Sequence, residues 1–170
     1  LGLPILTARL PVARIRERWA LYREGLEAGG HDANRQTALL QQSGLWRNVY
    51  VADSDAQAED ELAAVLRAAR RHMVHLREAL NPPDFVVDPA MFSPWTDPAA
   101  NEDMAIEDVM TAGSLYGSPA TVKGKVEELR DAGVGHLVCQ MAWGDMPYEQ
   151  TATATRRFAK EVMTDFQDAG

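Results

Sequence analysis

Apolar and polar positions alternate between two periods along this chain. Leu3-Pro4-Ile5-Leu6-Thr7 is a short apolar run of strand length. Val12, Ile15, Trp19, Tyr22 and Leu26 then recur at helical spacing and predict an amphipathic helix that Gly29-Gly30 closes. The stretch from Asp32 to Gly44 is polar and predicts no element, whereas Asn48-Val49-Tyr50-Val51-Ala52 reads as a second strand. Asp53-Ser54-Asp55 starts a long helix, with acids in its first turns, Arg67, Arg70, Arg71 and Arg77 late, and Leu62, Val65, Leu66, Ala69, Met73, Leu76 and Leu80 as its buried face. Ser114-Leu115-Tyr116 precedes Gly117-Ser118-Pro119, where Ser118 fits a helix cap and Pro119 the first helical position. Val122, Val126 and Leu129 are that helix's stripe, and Gly133 ends it. A strand follows from Val134 to Met141, and a last helix runs from about Tyr148 to Gln167, with Phe158, Val162, Phe166 and Ala159, Met163 as paired rows.

Strands alternating with amphipathic helices predict an α/β fold of parallel βα units. Periodicity leaves two closures open: a small open sheet with both faces covered, or part of a barrel. At 170 residues and 46% hydrophobic content the chain is one domain or a large piece of one, outside the disordered, collagenous and coiled-coil ranges. The apolar runs are shorter than the roughly 20 residues that cross a bilayer, and the opening residues lack a full signal-peptide pattern, so the expected compartment is the cytoplasm, with no membrane partner. Cys139 is the single cysteine, which excludes an internal disulfide and a thiolate metal cluster.

Charge is unevenly spread. The net charge of −8 sits entirely between Glu78 and Val122, a segment with eight acids and no Lys or Arg. Without a basic stripe, nucleic acid is not an expected partner. Five of the nine prolines fall in the same segment, and residues 81–112 read as an irregular acidic insertion. Its Met91, Phe92 and Trp95 are apolar enough to pack on something.

Four stretches in order carry a resemblance: Leu115-Tyr116-Gly117-Ser118-Pro119, the helix that follows, Ala132-Gly133-Val134-Gly135-His136-Leu137-Val138-Cys139-Gln140, and Arg157-Phe158-Ala159-Lys160-Glu161-Val162-Met163. Together they resemble the carboxyl-terminal end of the bacterial luciferase-like monooxygenases. Weaker likeness extends back through Val49-Tyr50-Val51-Ala52-Asp53-Ser54-Asp55-Ala56, Leu21-Tyr22-Arg23-Glu24, Gly29-Gly30-His31-Asp32 and the opening Gly2-Leu3-Pro4-Ile5-Leu6. The resemblance implies the later part of a (β/α)₈ TIM barrel, a fold of about 250 residues. It further implies an enzyme that uses reduced flavin (FMN, or alternatively a deazaflavin) and molecular oxygen on a small organic substrate, with a flavin reductase or NAD(P)H as the source of electrons. The catalytic residues of such an enzyme are expected outside this chain. A partial barrel has unpaired strand edges, so the chain is expected to form a homo-oligomer or to pair with the missing barrel half. The competing expectation is a non-catalytic α/β partner subunit.

Candidate site residues follow from position. Gly117 and Ser118 open a helix near the end of the fold, where they either hold an anion or simply cap the helix. Gln140, Met141 and Trp143 lie at the exit of the last strand, where barrels place working residues. There Trp143 and Gln140 are candidates for a flavin wall and Met141 for a substrate contact. Alternation sets Gln140 on the opposite face from Cys139 and Met141. The 81–112 insertion is either a lid, with Met91, Phe92 and Trp95 beneath it, or a surface excursion or oligomer contact. His72 and His75, with Glu78, have two-ligand spacing, but the neighbouring arginines oppose a cation, and no metal is expected. His31, His136 and Cys139 lack triad partners at specifying positions. Dinucleotide and Walker glycine motifs are absent.

Overall fold

The computed structural model describes residues 2–8, 10–82, 110–111 and 113–166. In chain order these form β1 (Leu6–Ala8), α1 (Val12–Ala28), α2 (Ala33–Gln42), β2 (Gly44–Val51), α3 (Asp55–Leu80), β3 (Ser114–Gly117), α4 (Pro119–Asp131), β4 (His136–Gln140) and α5 (Tyr148–Arg157). One turn of π-helix, Phe158–Val162, and a 3₁₀ turn, Met163–Asp165, extend α5. Met91, Phe92 and Trp95 lie outside the described residues, as does nearly all of the 81–112 insertion.

Every strand pair is parallel, which is the α/β architecture the alternating pattern predicts. β2 is the spine. Its first half pairs with β1, Leu6 opposite Gly44, and its second half pairs with β3, Asn48 opposite Ser114. β4 pairs with residues 44–48, Gly44 opposite His136 and Asn48 opposite Gln140. Because Gly44–Trp46 and Asn48 each have two partners, β1 and β3 must share one edge of β2 and β4 must take the other. Strand neighbours thus follow chain order for β1, β2 and β3, while β4 departs from it by pairing with β2 rather than β3.

Helices cover both faces of this sheet. On one face Leu45, Val49 and Val51 of β2 and Leu115 of β3 pack with Ile15 and Trp19 of α1, Val122 and Leu129 of α4, and Phe158 and Val162. On the other, Tyr50 and Ala52 pack with Ala58, Leu62 and Leu66 of α3, Met110 and Ala154 of α5. Each fully buried Leu, Val or Ile contributes about 1.5–3 kcal/mol, so the two layers hold β2 rigidly between them.

Several boundaries differ from the expectation. The polar stretch after Asp32 is helix α2, started by the Asp32 side chain, which accepts the Arg35 N–H at 2.8 Å. It buries only Leu39 completely, too little to leave a periodic trace. β2 begins four residues earlier than its apolar run because Arg47, buried here at 3% exposure, interrupts the pattern. β1 starts at Leu6, and Leu3 is exposed. Leu80 at the end of α3 is exposed as well, and of the two rows on the last helix only Phe158 and Val162 are buried, Met163 being exposed. The π turn changes the angular step after Arg157 and points that first row into the core.

Candidate functional site

Parallel sheets present their chemistry beyond the carboxyl ends of the strands. At that end of β2 the Tyr50 ring is buried, and its hydroxyl links two helices: it donates to the Glu61 carboxylate on α3 and accepts from Gln150 Nε2 on α5 at 2.8 Å. Burial first, and the bond to Glu61 second, push the Tyr50 phenol up to about 12. At neutral pH it is therefore a fixed, neutral donor and not a base. Arg157, at the end of α5, donates to the Val51 carbonyl at 3.3 Å and forms an ion pair with Asp53. Tyr50, Asp53, Glu61, Gln150 and Arg157 border a cleft of about 370 Å³.

One level deeper in the sheet, three polar side chains stand abreast. Gln140 on β4, Asn48 on β2 and Ser114 on β3 are in register, and parallel pairing turns registered side chains to the same face. Asn48 Oδ1, Ser114 Oγ and Gln140 Oε1 are all buried without a hydrogen-bond partner. Gln140 Nε2 is fixed by the Ala142 carbonyl at 3.1 Å. Close by, the Trp143 indole meets the Tyr50 ring edge-on, with centroids 6.4 Å apart, and its Nε1–H is also buried and unpartnered. Each such orphan costs about 1–3 kcal/mol in a folded protein, and three of them lie in one registered row with the fourth, Trp143, beside the Tyr50 ring.

The remaining sequence candidates separate. Ser118 caps α4, its hydroxyl accepting the Thr121 N–H, and the Asp55 carboxylate accepts the Ser118 N–H at 2.6 Å and the Thr121 hydroxyl at 2.8 Å. These hydrogen bonds, chiefly that from the Ser118 backbone, hold Asp55 below the usual carboxylate range. Gly117 has φ +138°, and a Cβ there would lie 2.7 Å from Asp55 Oδ1. The helix end that an external anion would use is thus engaged by a carboxylate of the chain itself. Met141 falls on the opposite face from Gln140, as alternation expects, in an apolar pocket of about 410 Å³ with Leu137, Cys139, Phe158 and Phe166. Burial raises the Cys139 thiol to about 11, far from a reactive thiolate. His72 and His75 are exposed, and no cluster able to hold a metal ion occurs among the described residues. No helix among those residues is long and apolar enough to cross a membrane.

Sequence reasoning missed Asn48, Tyr50, Glu61, Gln150 and Arg157. Asn48 carries a signal, as a polar residue in an apolar strand. Gln150 and Arg157 carry none, because 100 residues or more separate them from their partners Tyr50 and Val51.

The sequence matches the luciferase-like monooxygenase family over residues 1–136. Among curated proteins none matches. Several solved structures share the fold. Monooxygenase RslO1 from Streptomyces bottropensis superposes with a TM-score of 0.66 at 18% identity, covering 98% of this chain and 43% of its own. The oxygenating constituent of 3,6-diketocamphane monooxygenase from Pseudomonas putida, solved with FMN, gives 0.61 at 20% identity, covering 94% and 41%. Coenzyme F420-dependent tetrahydromethanopterin reductase from Methanopyrus kandleri gives 0.55 at 18% identity, covering 96% and 45%. The chain spans less than half the length of each of these three structures.

Proposed function

The chain belongs to the luciferase-like monooxygenase family, and from that premise we propose that it forms one side of a flavin-dependent monooxygenase site that acts on a small organic substrate. Its fold is that of the later part of a luciferase-like TIM barrel. The observation that carries the reading is the registered row Gln140–Asn48–Ser114 with Trp143 beside it. A flavin ring edge alternates N–H donors with carbonyl and ring-nitrogen acceptors, which is the complement of two amide oxygens, a hydroxyl and an indole N–H. The residues therefore fit such a group, FMN first and a deazaflavin second, in keeping with what the similar structures are named for. Once reduced and bound, it supplies the electrons with which oxygen is split between substrate and water.

In this reading Asn48 and Gln140 would accept from the ring and Ser114 and Trp143 would donate to it. Asn48, Gln140 and Ser114 stand on β2, β4 and β3, and Trp143 on the loop after β4. Tyr50, kept protonated by burial and by Glu61, orients Trp143 and closes the cleft side against water. Gly117 and Ser118 serve indirectly, by securing α4 against β3. Met141, in the pocket on the opposite face from Gln140, stands apart from this row, and Met91, Phe92 and Trp95 enter as substrate contacts on the strength of the sequence alone.

Further barrel strands are needed to complete the enclosure, with oxygen and a flavin reductase as reaction partners. The exposed Leu3 and Leu6 at β1 favour pairing with such strands. They also support the second reading, a non-catalytic module that only pairs. Titrating FMN into the protein and following flavin fluorescence separates the two: saturable quenching supports the site, and its absence leaves the module.

A further inference from the structure

On the opposite face of β2 from Asn48, Arg47 is a buried cation without a counter-ion among the described residues. It is 3% exposed, its Nη2 donates to the Leu10 carbonyl, and its Nη1 is buried with no partner. Desolvation alone lowers it to about 10, a value at which it is still charged at neutral pH. Among the described residues no carboxylate forms an ion pair with it. A lone guanidinium in this position costs several kcal/mol unless something answers the charge.

The guanidinium borders a cavity of about 410 Å³ between the sheet, the amino end of α1 and the flank of α4. Two further elements with donors border that space. Pro11 and Val12 belong to the start of α1, which has neither a side-chain cap nor an acid in its first turn, so its first N–H groups are uncommitted. Lys125 of α4 lines the wall, its ammonium fixed by the Tyr116 carbonyl at 2.8 Å and 3.9 Å from that ring's centre. Among the described residues Glu128 is the one acid on the lining.

We propose that this cavity binds a small phosphate-bearing anion, with the Arg47 guanidinium as its principal contact. A planar fork, an ammonium and a helix amino end on three separate elements around one cavity suit a tetrahedral oxyanion better than a flat carboxylate. The volume exceeds what one phosphate occupies and leaves room for a small ester group against Val12, Leu115 and Leu129. Glu128 weakens the site by its like charge and sets an upper limit on affinity. This proposal does not depend on the flavin reading, because it concerns residues on the other face of the sheet.

Calorimetric titration of the chain with inorganic phosphate and with glycerol 3-phosphate, at constant ionic strength and against a chloride control, tests it. Saturable binding of phosphate is expected, weakened about tenfold or more in Arg47→Met, since a hydrogen bond to a charged group carries about 1.5–3 kcal/mol. Affinity is expected to rise in Glu128→Gln, which also decides the matter should Arg47→Met fail to fold. Tighter binding of glycerol 3-phosphate assigns the site to a phosphomonoester; equal binding assigns it to the free ion. Heats that chloride reproduces, no saturable binding of either probe, an unchanged affinity in Arg47→Met or an unchanged affinity in Glu128→Gln would overturn the proposal.

Discussion

Asp55 and Ser118, 63 residues apart, are joined by one short hydrogen bond: the Ser118 N–H donates to Asp55 Oδ1 at 2.6 Å. Asp55 is the first residue of α3 and Ser118 the cap of α4, so a single carboxylate serves the amino ends of two helices and ties them together beside β3. The Asp55 carboxyl is held below its ordinary range by these bonds, with Lys125 adding a little. A carboxylate whose folded pKa is depressed stabilises the fold above its unfolded pKa, about 3.9, and that stability is lost as pH falls through the lower folded value. Asp55→Asn is therefore expected to lower Tm at pH 7 and to flatten the acid limb of the Tm–pH curve. Melting from pH 2 to 7 checks both; an acid limb identical to that of the parent would contradict the link.

Gly117 faces the same carboxylate. Its φ of +138° is a conformation that L side chains rarely adopt, and a methyl group would meet Asp55 Oδ1 at 2.7 Å and Thr121 Cγ2 at 2.8 Å. Gly117→Ala is expected to destabilise by about 1–3 kcal/mol. In the Asp55→Ala background the penalty should shrink, because one of the two obstructions is gone. A double-mutant cycle by urea unfolding measures the coupling, and strict additivity would contradict the geometry.

Tyr50 makes a prediction at the other end of the pH scale. Its phenol is raised from 10.0 to about 12, with burial as the largest cause. A group whose folded pKa is raised contributes stability that is fully present below its unfolded value and is lost as pH rises through the folded one, here between about 10 and about 12. Ultraviolet titration should show one tyrosine ionising last, absent in Tyr50→Phe. That variant leaves Gln150 Nε2 and the Glu61 carboxylate without this partner and is expected to cost about 1–3 kcal/mol. A full set of tyrosines titrating together near 10 would remove the buried network.

Helices that bury a wide apolar stripe were legible from spacing, as with Ile15, Trp19 and Leu26 of α1 or Val122 and Leu129 of α4. Strands were legible where apolar residues ran unbroken. α2 was not, since one buried leucine leaves no period, nor was the first half of β2, where a buried arginine mimics a surface residue. Gln140 and Trp143 could be placed by their address at the end of the last strand. Their partner Asn48 could not, because register between β2 and β4 depends on tertiary packing that local sequence does not encode. The pairing of β4 with β2 instead of β3 is likewise a long-range choice.

The row formed by Gln140, Asn48 and Ser114 is the centre of the functional account, and FMN affinity in the variant pair Asn48→Leu and Gln140→Leu tests it most directly. Asn48→Leu removes an unsatisfied buried oxygen, so its Tm should hold or rise, whereas Gln140→Leu also gives up the bond to the Ala142 carbonyl, and its stability should fall by no more than that one bond, about 0.5–1.5 kcal/mol. FMN dissociation constants, measured by fluorescence quenching, should meanwhile increase by about tenfold or more for each lost contact. Unchanged FMN affinity in stably folded variants would contradict the assignment of this face to the cofactor.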